Sequence, residues 1–361
     1  MSTTKNFFRA SAEDFKKIPG SPIAYWASSS VFNVFSHSPK LGSLIDARIG
    51  LVSGDNNRFL RFWYEVDRDN IEYNAKPGRD PQKLKWYPLQ KGGKSRLWYG
   101  NLDYVINWED NGWAIIHDNS DNGRIKSHNY NGVQQFKEGI TWNSISSSTF
   151  SCRYSPEGFT FDAAGPLCEV IEKDNLHSVL GFLSSVVAKY FLTLTNPTIN
   201  FPSGYLELLP YAKVSSQNLG TIVEACLGHS RADWDAYETS WDFKVNPLVA
   251  LSKQDGMNEP LSVIYPKLRD KWAADCAEMQ RLETENNRIF IEAYGLEEEL
   301  TPEVPWHEIT LTCNPWYRYG VKFEGDSGQE LGACGEMPMD EALEERLRAD
   351  TVKELISYAV G

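Results

Sequence analysis

None of the six cysteines in this 361-residue chain has a close cysteine neighbour; they stand at 152, 168, 226, 276, 313 and 334. Without a C-x-x-C pair there is no zinc knuckle, and spacing this wide does not make a disulfide framework. Reduced thiols in a cytoplasmic protein are the expectation. The first seventeen residues, MSTTKNFFRASAEDFKK, lack the apolar stretch of a secretory signal. No uninterrupted apolar run approaches the ~20 residues that span a bilayer, so no membrane partner is expected. Catalytic signatures are missing too. There is no G-x-x-x-x-G-K-[ST] phosphate loop, no G-x-S-x-G elbow and no H-E-x-x-H pair. The glycines of residues 325–335 do not follow a predicted strand, which excludes a dinucleotide loop there. Internal repeats and low-complexity tracts are also missing.

What the chain does have is aromatic weight and an uneven charge. Aromatic residues make up 13% of it, with twelve tryptophans, beside an ordinary 41% hydrophobic and 24% charged. Such rings suit a large core or a surface that holds flat partners such as nucleobases. A net charge of −13 counts against a nucleic-acid partner only where it is evenly spread. Residues 1–213 hold 23 Lys/Arg and 21 Asp/Glu, a balance of +2, whereas residues 214–361 hold 13 and 28, a balance of −15. The halves have different electrostatic jobs.

Ser11 and Asp14 mark a short capped helix that Pro19 and Gly20 would end, and residues 23–35 predict a packed helix. From about residue 43 to 161 short aromatic and β-branched runs follow: FLRFWY at 59–64, YVINW at 104–108 and WAII at 113–116. Turn clusters at 110–112, 121–123 and 131–132 separate them, predicting an antiparallel or mixed sheet. Residues 176–194 (LHSVLGFLSSVVAKYFLTL) predict one buried helix, apolar nearly all round.

The second half is predominantly helical. Ser230 is expected to cap a helix with an acidic first turn. Leu261, Ile264, Leu268, Trp272, Met279, Leu282, Asn286 and Ile289 form one stripe of a helix over 259–294, with Gly295 as C-cap. The acidic runs at 297–299 and 341–345 suit solvated helix faces, and residues 325–339 have no period and predict a loop. The fold class expected is a mixed α/β (α+β) domain followed by a mainly helical one.

Residues 76–96 concentrate positive charge: Lys76, Arg79, Lys83, Lys85, Lys91, Lys94 and Arg96 against a single acid, Asp80. Trp86, Tyr87, Trp98 and Tyr99 are interleaved or adjacent. Cations on phosphates give affinity, and neighbouring aromatics and amides can reach base edges or flipped bases. Lys83, Lys85, Lys91 and Lys94 are therefore candidates for phosphate, and Asn57, Arg58 and Arg96 for base edges, since Asn pairs with adenine and Arg with guanine. Arg61 and Trp98 complete the candidate DNA-binding set. A charged loop without a ligand is the plain alternative, and Asp55 to Asn57 could simply be a turn. Two segments imitate catalysis. Asp242-Phe-Lys244 faintly resembles nuclease carboxylates without their strand context. Asn314-Pro-Trp-Tyr317 resembles the [DNS]-P-P-[YFW] segment of amino-methyltransferases, but Trp316 replaces the second proline and no glycine-rich cofactor loop precedes it. A turn anchored by packed aromatics is expected there.

Several longer segments carry a resemblance: residues 54–66 (GDNNRFLRFWYEV), 85–93 (KWYPLQKGG), 98–101 (WYGN), 136–142 (FKEGITW), 153–159 (RYSPEGF), 238–243 (ETSWDF), 287–291 (NRIFI), 294–296 (YGL) and 356–361 (ISYAVG). In this order, over nearly the whole chain, they resemble the BREX-type phage-defence DNA methyltransferases called PglX. The resemblance implies a DNA target-recognition region, residues 22–213, after a linker helix at 1–21 and before an acidic helical connector, 214–361. It further implies that the catalytic and cofactor-binding domain lies N-terminal to the region seen here. S-adenosylmethionine would be held elsewhere, with no cofactor, metal or catalytic residue in this chain. The match stops at Gly361 where relatives continue, so a truncated, split or excerpted polypeptide is expected. The implied partners are double-stranded DNA, a methyltransferase catalytic domain and other defence proteins. A competing class is a non-catalytic interaction fragment, whose acidic half docks other defence components or mimics DNA.

Overall fold

Two four-stranded sheets grow out of the aromatic-rich first half. The computed structural model describes the chain apart from residues 1–10, 79–83, 121, 129–131, 133, 147–148, 215–217, 255–258 and 322–336. Its strands are β1 Ile45–Arg48, β2 Leu60–Phe62, β3 Trp86–Gln90, β4 Tyr104–Asn107, β5 Gly139–Trp142, β6 Cys152–Ser155, β7 Thr160–Phe161 and β8 Leu167–Val170. One sheet runs β1-β8-β5-β6 and is antiparallel; the other runs β2-β4-β3-β7, with β3 and β7 parallel. β3 is buried at all five positions. It tolerates Pro88 because its parallel pairing to β7 begins only at Leu89, so no ladder bond is demanded of the missing N–H.

The mixed sheet region is followed by a mainly helical one, as the composition predicts. Its longest element, Leu261–Tyr294, ends where Gly295 takes the left-handed conformation (φ 63°, ψ 45°), which a glycine adopts without strain. Four local expectations are corrected. Residues 176–194 form two helices, Leu176–Ser184 and Val186–Thr195, bent by 67°. Ser185 breaks them: its hydroxyl donates to the Phe182 carbonyl and caps Ala188 N–H, while Asn287 accepts from Val186 N–H at 2.9 Å. Ser230 caps nothing, because the helix Leu219–Trp234 already encloses it. The run at 113–116 belongs to a helical turn, entered through left-handed Asp110, Asn111 and Gly112, rather than to a strand. The helix expected at 23–35 begins only at Ser29, capped by Ser28.

One apolar core joins the two halves. It runs from Ile18 and the inner face of the first sheet, through Phe182 and Phe191, to Trp272, Phe290 and Leu347. Among the described residues no single helix is long and apolar enough to cross a membrane; the bent pair is apolar all round because it lies in this core.

Trp98 shows how deep the junction lies. Its indole N–H donates to Glu283 Oε1 of the long helix at 2.8 Å. Burial pushes the Glu283 carboxyl up to about 7, opposed by the Trp98 bond and by Lys189. The folded chain therefore holds a proton that the unfolded chain releases at the ordinary glutamate range. Stability is expected to fall as pH rises from about 4.5 towards about 7, and the full penalty applies above that. Glu283→Gln should relieve it, by roughly 2 kcal/mol at pH 8 and little at pH 5. Urea denaturation of both chains at the two pH values checks this; an equal difference at both would refute it.

Candidate nucleic-acid interface

The basic run at 76–96 does not lie on one surface. Arg96 is 2% exposed and bonded on every nitrogen: its guanidinium meets Asp233 at 2.7 Å and donates to the Tyr99 and Ser230 carbonyls and to Thr312 Oγ1. Asp233 also accepts from the Thr312 and Cys313 N–H groups, at 2.7 and 3.0 Å. Trp98 is equally buried, as are Trp86, Tyr87 and Tyr99. Arg96 and Trp98 thus leave the DNA-facing set, because four of the five Arg96 N–H donors and the Trp98 indole N–H are spent inside the protein. Sequence spacing could not show this, since Asp233 lies 137 residues from Arg96.

The remaining cations divide by partner. Lys91 meets Asp162 at 2.6 Å in a partly buried pair, and Lys76 meets Glu157. Lys94 donates to the carbonyls of Tyr317 and Arg318, both at 3.1 Å, over the Tyr317 ring; burial, with Arg96 and Arg318 nearby, lowers its pKa. Arg58 pairs with Asp118, which Lys126 approaches at 3.4 Å. Lys83 lies outside the described residues.

Arg61 and Lys85 are different. Arg61 Cζ stands 5.9 Å and Lys85 Nζ 5.4 Å from the centroid of the same Trp86 ring. Among the described residues neither has a carboxylate partner. Arg61 is positioned by strand β2 and by its bonds to the carbonyls of Asn57 and Leu60, both 2.6 Å. Asn57 is exposed beside it, on the turn of helix Asn56–Phe59 that Asp55 caps. The structure brings Asn57, Arg58, Arg61 and Lys85 to one end of the second sheet. Two like charges thus lie against one indole, without an acid among the described residues.

A second feature escaped the sequence. A pocket of about 390 Å³ opens where the first half meets the helices, lined by Lys94, Asp103, Trp234, Tyr237, Tyr317 and Arg318 among others. Burial pushes the Asp103 carboxyl up to about 6 against the opposing pull of Arg153 and Arg96. Nothing in the local sequence signals it, since its walls come from four distant segments. Asn314-Pro-Trp-Tyr317 forms part of the same region as a packed turn. Asn314 caps helix Pro315–Arg318 and donates to the Trp306 and Ile309 carbonyls, and Trp316 is buried. Its amide is so occupied, and Tyr317, at the motif's aromatic position, donates its hydroxyl to the Ser95 carbonyl at 2.7 Å and carries Lys94 Nζ over its ring. Around Asp242, and elsewhere among the described residues, no three His, Cys, Asp or Glu side chains converge on a metal position.

Comparison with known proteins gives the context. The adenine-specific methyltransferase PglX of Lacticaseibacillus casei (strain Zhang) is 40% identical over 298 residues, 82% of this chain and 25% of that protein. The chain is similar to one part of such a methyltransferase. The adenine-specific methyltransferase BrxX of Escherichia coli O9:H4 (strain HS) agrees, at 34% identity over 351 residues, 96% of this chain and 26% of that protein. The chain thus spans about a quarter of the length of the curated relatives it matches. No family model matches.

Proposed function

We propose that this chain recognises duplex DNA for an adenine-specific methyltransferase whose catalytic and S-adenosylmethionine-binding part lies outside it. The observation that carries the reading is the Arg61–Lys85 pair over Trp86, positive and without an acidic partner among the described residues. Phosphate is the anion such a pair would meet on DNA, and phosphate contacts fix register without reading sequence. Asn57 stands one turn away with an exposed amide that can pair in bidentate fashion with adenine. The site would be marked in host DNA during defence against phage.

The test is binding of the chain to duplex DNA over a salt series. Affinity should fall linearly on logarithmic axes, and Lys85→Ala should lower that slope by roughly one unit for all sequences alike. No binding at low salt would sink the reading. The chain alone is also expected not to bind S-adenosylmethionine, since it lacks a glycine-rich cofactor loop; micromolar binding in a calorimetric titration would overturn that.

The −15 balance of residues 214–361 supports a second role, in which the acidic helices dock a basic partner protein. DNA contact would then be confined to the first half. Duplex binding that survives charge reversal at both Arg61 and Lys85 but is lost on reversing the exposed cations Arg346 and Arg348 would contradict this division.

A further inference from the structure

We infer that the cavity beside Trp98 binds a linear aliphatic diamine, with Glu283 holding one ammonium and the glutamates nearer solvent holding the other.

The cavity has a volume of about 500 Å³, enough for a small ligand. It lies where the bent helix pair, the long helix and residues 299–308 meet. Its charged lining is almost all of one sign. Glu283, Glu299, Glu303 and Glu308 face a single cation, Lys189, whose Nζ stands 3.5 Å from Glu308. Glu299 accepts from the hydroxyls of Ser28 and, at 3.1 Å, of Tyr190. Glu303 has no partner among the described residues.

Three half-buried acids alone would be an ordinary solvated rim. Glu283 is different. It is 4% exposed, yet it lines the cavity. Its Oε1 accepts the Trp98 indole N–H, while Oε2 accepts from nothing among the described residues. A buried carboxylate left short of a donor is costly, and burial holds this carboxyl up at about 7. An ammonium would supply the missing donor and the missing counter-charge together.

The same groups choose among cations. With one oxygen spent on Trp98, Glu283 offers a single acceptor. That suits the compact charge of an ammonium, whereas a guanidinium fork takes both oxygens of a carboxylate. Val186, Leu300 and Val304 in the wall suit methylene groups. Carboxyls at two depths, one buried and three half-buried, favour a chain charged at both ends.

The experiment titrates the full chain calorimetrically with diaminobutane, butylamine, butanediol and an acetylated lysine amide. Salt at about 0.15 M screens the general attraction of a net charge of −13 for cations. Diaminobutane is expected to bind about tenfold more tightly than butylamine, since a second charge-assisted bond is at stake. It should also shift the Trp98 indole N–H resonance, and butanediol should not bind. The lysine amide stands for a partner's side chain and, with one ammonium, should match butylamine. Diamine affinity should rise about tenfold between pH 6 and pH 8 as Glu283 ionises. Lys189 and Glu308 are the other charged groups facing Glu283, with Cys226 of helix Leu219–Trp234, a thiol that burial keeps protonated. Glu283→Gln keeps an acceptor for Trp98 but presents an N–H group in place of Oε2. Diamine affinity should then fall about tenfold and lose its pH dependence. No binding of diaminobutane, equal affinity for butylamine, or binding of butanediol overturns the inference. So does a lysine amide that binds as tightly as the diamine, which would make a protein side chain the occupant. Diamine binding that Glu283→Gln leaves unchanged also overturns it, as a surface effect of net charge. The ligand series on the wild-type chain decides by itself if the variant does not fold.

Discussion

Arg96→Leu is expected to destabilise the chain by about 3–5 kcal/mol, because it strips the partner from a buried charge. Asp233 would keep its bonds to the Thr312 and Cys313 N–H groups, yet its carboxylate would remain in the interior without a cation. The loss should exceed that of an exposed cation such as Lys85 by severalfold, since surface charges rarely contribute 1 kcal/mol. The bonds of Arg96 reach the Tyr99 loop, helix Leu219–Trp234 and Thr312. Its removal therefore loosens the junction between the two halves, and any fall in DNA affinity should follow the fall in melting temperature. Replacing both partners, as Arg96→Leu with Asp233→Leu, should recover part of the stability. Urea denaturation of the two single variants and the double variant supplies the cycle. An Arg96→Leu chain that melts like wild type but selects a different DNA site would return Arg96 to the base-reading group.

Arg96 also marks the limit of what the sequence discloses. Local periodicity was sufficient for the stripe of the long helix and its Gly295 cap, because both depend on residues within a few turns of one another. Strand β4 and the turn at 110–112 were legible for the same reason. The break at Ser185 was not, since it is stabilised by Asn287, 101 residues on. Charge was the least legible property of all. In a run of seven basic residues, Arg96 differs from Lys85 only through Asp233, and Arg61 differs from Arg58 only through Asp118. Neither acid is near in sequence. Asp103, Tyr237 and Arg318 carry no local signature whatever, as their pocket exists only once three helical segments meet the loop before β4.

The other large effect belongs to the cationic pair. Reversing both charges, Arg61→Glu with Lys85→Glu, should leave the fold within about 1 kcal/mol of wild type, as expected of residues bound to no buried acid. DNA binding should respond far more. Losing two phosphate contacts removes at least about two units from the salt slope. Each unit is worth about tenfold between 1 M and 0.1 M salt, so affinity at 0.1 M should fall about 100-fold or more. The loss should be the same for every sequence, because an ammonium or a guanidinium on a phosphate reads no base. Asn57→Ala provides the contrast. Its exposed amide makes no side-chain bond in the described structure, so its removal should cost roughly 1–3 kcal/mol against the preferred site only and relax selection at one position. Arg58→Ala is intermediate, since Arg58 must leave Asp118 before it can meet a base. Selection of bound sites from a random DNA pool, run beside a salt series for wild type, Lys85→Ala and Asn57→Ala, distinguishes these roles. An altered consensus for Lys85→Ala, with none for Asn57→Ala, would exchange the two assignments. An undiminished salt slope in the double reversal would place the phosphate contacts on another surface of the chain.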